Sequence, residues 1–278
     1  MDASLRDEIA RHVREGEANR FRSRDQPFFD APLVGVAAAG DELFRRYKTI
    51  IGDFHRTPEE IVPGAAAVVV WVLPIRRDTR IDNRREKLLP ARSWAETRSF
   101  GEEFNVALRR RVEEWLRARG FGAVAPHVAS DWRRLEATPV GIASTWSERH
   151  AAYAAGLGTF GLSDGLITPL GIAHRLGSVV TTAPLRPTSS ATDRAGPRGH
   201  CGFYDGEACT ACIARCPVGA ITTAGHDKVK CAEYVDGTLK ASLAGPWGTP
   251  VPGCGLCQTK VPCEERIPPR RKPSTRDQ

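Results

Sequence analysis

Eight cysteines stand at positions 201, 209, 212, 216, 231, 254, 257 and 263 of this 278-residue chain, and none lies in the first two hundred residues. The crowding marks a C-terminal module with its own chemistry. The N-terminus, MDASLRDEIARHVREGEANRF, has no apolar stretch of export-signal length, so the expected compartment is cytoplasmic. Disulfides are disfavoured in a reducing cytosol, which leaves zinc sites and iron–sulfur clusters as competing uses for the thiols.

Spacing separates the two. Cys209-Thr-Ala-Cys212-Ile-Ala-Arg-Cys216-Pro217 is a C-x2-C-x3-C-P run. It matches the last three cysteines of the bacterial ferredoxin signature, in which the cysteine before proline serves the other cluster. Cys254-Gly-Leu-Cys257 adds a second C-x2-C, and Cys231 and Cys263 bring that half to four. Zinc ribbons also pair C-x2-C motifs, but they do not require proline followed by Val-Gly-Ala-Ile, the small-residue turn behind a ferredoxin cluster loop. Eight thiolates supply two [4Fe–4S] clusters with none left over. In the crossed ferredoxin arrangement one cluster takes Cys201, Cys209, Cys212 and Cys263, and the other takes Cys216, Cys231, Cys254 and Cys257. Two spacings depart from the standard pattern, and both fall on the first set. Seven residues separate Cys201 from Cys209, and five separate Cys257 from Cys263.

The rest of the chain must position this module. Hydrophobic residues at 41% and charged residues at 26% are a globular composition. No apolar run approaches the roughly 20 residues of a membrane span. The net charge is 40 − 33 = +7, of which Arg266 to Gln278 supply +4, five cations against one anion. A basic, proline-containing end of this kind reads as a flexible tail, and its sequence-blind attraction to phosphate makes RNA contact the functional alternative.

The first two hundred residues read as an α/β domain. A helix is expected over roughly residues 3–16, a strand around Pro32 to Ala37 and a helix from about Asp41 to Ile51. Thr57-Pro58-Glu59-Glu60 is a capping box that starts a short helix. Ala65 to Leu73 is a continuous β-branched run, as befits a central strand covered on both faces. Apolar residues recur at helical steps from Ser99 to Arg119, and further strands are expected at Phe121 to Val128 and Gly177 to Leu185. The expected organisation is residues 1–186 as the α/β domain, 187–200 as linker, 201–265 as the two-cluster domain and 266–278 as tail.

Ser147 to Gly161, SERHAAYAAGLGTFG, is the most informative stretch outside the cysteines. Its alanines allow close helix packing and its glycines permit a flat ligand against backbone. The plainer reading is tight packing followed by a helix C-cap. The G-x-G-x2-G spacing follows a helix and not a strand, which excludes a dinucleotide loop.

Taken in order, TPEEIVPGAAAVVV, ERHAAYAAGLGTFG, LITPLGIAHRLGSVVTTAPL, CTACIARCPVGAI, Cys231-Ala-Glu-Tyr234 and GCGLCQ resemble the epoxyqueuosine reductases and their relatives the reductive dehalogenases, over roughly residues 57 to 263. The resemblance implies an α/β (α+β) cobalamin-binding-like domain followed by a bacterial ferredoxin-like double-cluster domain. It also implies a base-off cobalamin that receives electrons one at a time from the two [4Fe–4S] clusters. Gly156, Leu157, Gly158, Thr159, Phe160 and Gly161, with Leu166, Ile167 and Thr168, match the segments that contact the corrin in that family.

The chain departs from the family in places. Epoxyqueuosine reductases carry a proton-donating aspartate six residues before the glutamate of the E-R-x2-A segment, where this chain has Ile142, and no helical-repeat extension follows the cysteines. Candidates for catalytic proton supply are His174 and, by analogy with the dehalogenases' tyrosine acid, Tyr153. Each has a plainer reading as loop polarity or helix packing. Glu148, Arg149 and His150 open the small-residue helix, and Arg76, Arg77, Arg80, Arg84 and Arg85 form either an anion-binding cluster or a solvated loop. The expected activity is a cobalamin- and iron–sulfur-dependent reductase of unassigned substrate. Its expected partners are an external ferredoxin or flavodoxin as donor and a small-molecule or corrinoid substrate. A cobalamin-free electron-transfer protein and an epoxyqueuosine reductase acting on tRNA through a different acid are the alternatives.

Overall fold

The computed structural model describes residues 2–188, 196–206 and 208–269. The chain begins with α1 (Asp2–Glu15), β1 (Leu33–Ala38) and α2 (Glu42–Ile51), whose Asp41 side chain accepts from the Leu43 amide. The short helix α3 (Pro58–Ile61) has the reciprocal Thr57–Glu60 capping box. Next come β2 (Ala67–Pro74), α4 (Arg77–Arg85), α5 (Arg92–Arg117) and β3 (Ala123–Val124). A hairpin of β4 (Arg134–Thr138) and β5 (Gly141–Ser144) precedes α6 (Glu148–Ala154), and a second hairpin pairs β6 (Thr159–Phe160) with β7 (Leu166–Ile167). The long strand β8 (His174–Thr181) completes the sheet.

The four-stranded sheet has the order β1-β2-β8-β3 and every pairing is antiparallel. All eight residues of β2 are buried. Val69, Trp71 and Leu73 face α1 and α5, while Val68, Val70 and Val72 face α2 and the alanines of α6. That double coverage is why the strand is apolar without alternation, even in an antiparallel sheet. Each such side chain contributes roughly 1.5–3 kcal/mol on burial.

Three elements differ from the sequence expectation. The helix expected from Ser99 starts at Arg92. The strand expected over 121–128 stops at Val124, because Pro126 has no amide for the ladder and opens a 3-10 turn over Pro126–Val128. The last strand runs from His174 to Thr181 and not from Gly177 to Leu185, which brings His174 and Arg175 out of the expected turn and into the sheet. The expected linker and tail fall largely on residues 189–195 and 270–278, outside the described residues.

A buried ion network holds the sheet to both helix layers. Arg109 of α5 has no exposed side-chain surface; it forms a bidentate pair with Glu148 of α6 at 2.9 and 2.7 Å and reaches Glu102 at 2.8 Å. It also donates to the Leu176 carbonyl of β8 at 2.8 Å. Glu102 in turn accepts from Arg175 at 2.8 and 2.6 Å. Burial alone would raise the Glu102 pKa, but Arg175, Arg109 and Arg98 outweigh it and bring it to about 2.

The cysteine module comprises α7 (Ala211–Arg215), the small hairpin β9 (Ile221–Thr222) and β10 (Gly225–His226), then α8 (Lys228–Ala232) and α9 (Lys240–Trp247) joined by a π-helical stretch at Glu233–Leu239. It is clamped to the sheet domain through α4. Arg84 meets both oxygens of the buried Glu264 at 2.9 and 2.7 Å, and Arg80 meets Glu265 at 3.1 Å. Arg215 returns the contact, donating to the Glu86 and Asn83 carbonyls at 2.7 and 3.1 Å. Arg76 pairs with Asp30. So Arg76, Arg80 and Arg84 are neither a solvated loop nor a free anion cluster: they lie at or beside a helix and make ion pairs, two of them to the cysteine module.

Replacing Arg109 with Met strands two buried carboxylates. We expect a loss of about 3–5 kcal/mol in urea unfolding; a loss below about 1 kcal/mol would mean that solvent screens the network.

Candidate functional site

Cys216, Cys231, Cys254 and Cys257 line one cavity of about 220 Å³. Cys216 precedes Pro217 at the end of α7, where its sulfur accepts from the Ala220 amide at 3.2 Å. Cys231 is on α8, and the Gly253–Gln258 turn presents Cys254 and Cys257. That turn needs glycine at 255: its φ is +66°, and a Cβ there would lie 2.0 Å from the Trp94 ring.

Cys201, Cys209, Cys212 and Cys263 are the other expected set. Burial, then Cys201 and Cys209, push the Cys212 thiol up to about 11, while burial followed by Cys212, Cys201 and Cys209 pushes Cys263 up to about 12. Cys201 is buried, and its amide caps a turn by bonding to the Arg198 carbonyl. Despite its odd spacing, it lies near enough to act on Cys212 and Cys263. In the cavity set, burial raises Cys254 to about 11 and Cys257 well above the usual thiol range. Thiols packed this way resist ionisation unless a cationic core takes their charge. Among the described residues no three His, Cys, Asp or Glu side chains are close enough to chelate a single metal ion. A [4Fe–4S] cube, with its own sulfides between the irons, sits among more widely spaced thiolates, and the two sets have the donor number and softness it needs.

The sheet domain forms the opposite cavity wall with Arg98 and Trp94 of α5, Arg149 of α6, Ser163 and Gly165 of the β6–β7 turn, and His174 and Arg175 of β8. Arg149 is among the lining residues and keeps exposed surface, and desolvation lowers its pKa. Like charge on Arg175, together with burial, lowers Arg98 to about 10. His174 is 8% exposed, and burial lowers its pKa to about 4. Its Nε2 lies 2.8 Å from the Leu166 carbonyl, which can only accept, so Nε2 carries the proton and Nδ1 a lone pair. At neutral pH this imidazole is a hydrogen-bond acceptor and no acid.

Other expected site residues lie elsewhere. Tyr153 is buried in the core between α6 and the sheet, its ring 5.9 Å from Phe160, and does not line the cavity. His150 packs against Tyr47 and Phe160, with Nδ1 2.7 Å from the Ser147 hydroxyl, and burial drives its pKa down to about 3.

The segments matched to the corrin are mostly packed against the chain itself, with Gly156 exposed and Phe160 half-buried. Gly156, with φ +73°, is the residue past the C-cap of α6. A Cβ at Gly158 would lie 2.4 Å from the Ile167 carbonyl, so this glycine serves the close approach of the second hairpin. Leu157, Thr159, Leu166, Ile167 and Thr168 are buried, and none of these residues, nor Phe160 or Gly161, lines the cavity. The turn between the segments, with Ser163 and Gly165, does. The cavity is also below the roughly 300–1,000 Å³ of sites for drug-sized ligands, and a corrin is larger than those.

No protein-family model matches the chain. Among curated proteins it is 25% identical over 213 residues to an epoxyqueuosine reductase of Bacillus cereus, covering 74% of this chain and 50% of that one. It therefore spans about half the length of that relative. A crystal structure of epoxyqueuosine reductase superposes with a TM-score of 0.51 at 21% identity, covering 98% of this chain and 69% of that one. A catabolic reductive dehalogenase superposes at 0.52 and 17% identity over 84% of this chain and 30% of the other. The mixed α/β fold is the one these two groups of proteins share. In sequence the chain is similar, at 25–26% identity, to epoxyqueuosine reductases.

The placement of Cys201 generates a test. Changing it to Ala should lower iron in the anaerobically reconstituted protein from about eight to about four per chain, with a [4Fe–4S] electron paramagnetic resonance signal remaining. Unchanged iron would show that Cys201 is not a ligand.

Proposed function

We propose that the chain is an iron–sulfur oxidoreductase with two [4Fe–4S] clusters, one on Cys201, Cys209, Cys212 and Cys263 and the other on Cys216, Cys231, Cys254 and Cys257. Electrons from an external ferredoxin or flavodoxin enter at the first and leave through the second to an acceptor in the cavity. The observation that carries this reading is that four of the eight thiols line one cavity, opposite a polar wall contributed by the sheet domain. The clusters supply one-electron transfer; the chain's residues hold them, exclude bulk water and orient the acceptor.

Cobalamin is the acceptor that the family likeness favours. The glycine segments assigned to it serve hairpin packing here, so contacts to any acceptor fall to Ser163, Gly165, Arg149, Arg98 and His174. His174 orients a donor group on the acceptor through its Nδ1 lone pair. Ile142 lies on β5 and carries no proton, so reduction of an epoxide on tRNA would need an acid from another source. Among the described residues no helix is long and apolar enough to cross a membrane.

Anaerobic reconstitution with iron, sulfide and cobalamin, followed by metal analysis, tests the reading. About eight iron per chain is expected. One cobalt per chain with a base-off Co(II) resonance signal would assign the corrinoid as acceptor, and iron without cobalt would assign a cobalamin-free route. Stoichiometric zinc without iron would contradict the proposal.

A further inference from the structure

The two thiol sets sit in different electrostatic surroundings. At the cavity, Arg175 is matched by Glu102, and Arg109 by Glu102 and Glu148. Arg98 and Arg149 line the same cavity as Cys216, Cys231, Cys254 and Cys257; Glu102 and Asp236 act on Arg98, and Asp164 on Arg149, without a direct ion pair to either among the described residues. Arg149 donates to the Asp164 carbonyl at 2.7 Å. Arg215 approaches from the other side, donating to the Leu256 and Thr259 carbonyls on either side of Cys257 at 3.2 and 3.0 Å. The Ala220 amide adds a direct N–H···S bond to Cys216. Around the other set the arrangement differs. Arg198 lies on that side, but its guanidinium is stacked 4.2 Å over the ring of the exposed Tyr204.

A [4Fe–4S] cube with four thiolates carries net negative charge, and one more electron deepens it. Cations held nearby in a low-dielectric site, and hydrogen bonds to the sulfurs, favour the reduced form and raise the potential. Building on the two-cluster reading, we infer that Arg98 and Arg149 are the positioning residues that set the potential of the cavity-facing cluster above that of its neighbour, so that electrons run toward the cavity. The asymmetry gives the relay a direction without any difference in cluster type. Arg98 and Arg149 come from α5 and α6, the helices that the buried Arg109–Glu148 pair fixes to each other.

The test is a redox titration of the anaerobically reconstituted full chain, followed by electron paramagnetic resonance. Iron is counted first. The cavity-facing signal is identified as the one that survives in Cys209→Ser. Wild type should give two midpoint potentials, with the cavity-facing cluster the higher. Arg149→Gln and Arg98→Gln should each lower that potential and leave the other unmoved, while Arg149→Lys, which keeps the charge, should restore most of it. About eight iron per chain with an unmoved cavity-facing potential in both Gln variants, or with both potentials falling equally, would overturn the inference while leaving the two-cluster reading intact. Iron far below eight would overturn that reading and this inference with it.

Discussion

The arrangement depends on one buried guanidinium. Arg109 has no contact with solvent and could not remain charged there without the two carboxylates that close around it. Removing a charge of this kind from water costs several kcal/mol, which only near-ideal geometry and complete hydrogen bonding offset. Its partners lie on α5 and α6, and its last donor goes to the backbone of β8. Satisfying one side chain therefore fixes the three elements that supply Arg98, Arg149, His174 and Arg175 to the cavity.

Arginines divide the remaining work by what surrounds them. Arg80 and Arg84 spend their charge on Glu264 and Glu265 and bind the cysteine module to the sheet domain. Arg175 is paired within the buried network. Arg98 and Arg149 keep theirs for the cavity, facing thiols whose ionisation is opposed by burial and by each other. Burial and neighbouring thiols oppose ionisation on one wall, and like charge on Arg175 acts against Arg98 on the other. A cluster with its net negative charge relieves both at once: its iron core takes up the thiolates' charge, and the whole complements the guanidiniums.

Much of this was legible in the sequence, where chemistry is local. The C-x2-C-x3-C-P run and the second C-x2-C need only spacing, and Cys216, Cys231, Cys254 and Cys257 line one cavity. The apolar run from Ala65 to Leu73 announced a doubly covered strand, found at Ala67–Pro74, and Thr57 to Glu60 a capping box, because both signals are contained within a few residues. What spacing could not reveal was which residues meet across elements. Arg98 and Arg149 are about fifty residues apart and look like ordinary helix-surface cations until packing turns both toward the thiols. The glycines of 156–161 look like a ligand cradle, but the backbone they admit is that of the chain's own hairpin at Ile167. His174 reads as a loop histidine because the strand containing it begins five residues before its β-branched run, which opens at Val179.

The most direct test of the two-cluster account is anomalous diffraction at the iron edge from crystals of the anaerobically reconstituted protein. The account requires two compact iron peaks, one enclosed by Cys216, Cys231, Cys254 and Cys257 and the other by Cys201, Cys209, Cys212 and Cys263. A single iron peak, or peaks that appear at the zinc edge instead, would contradict it.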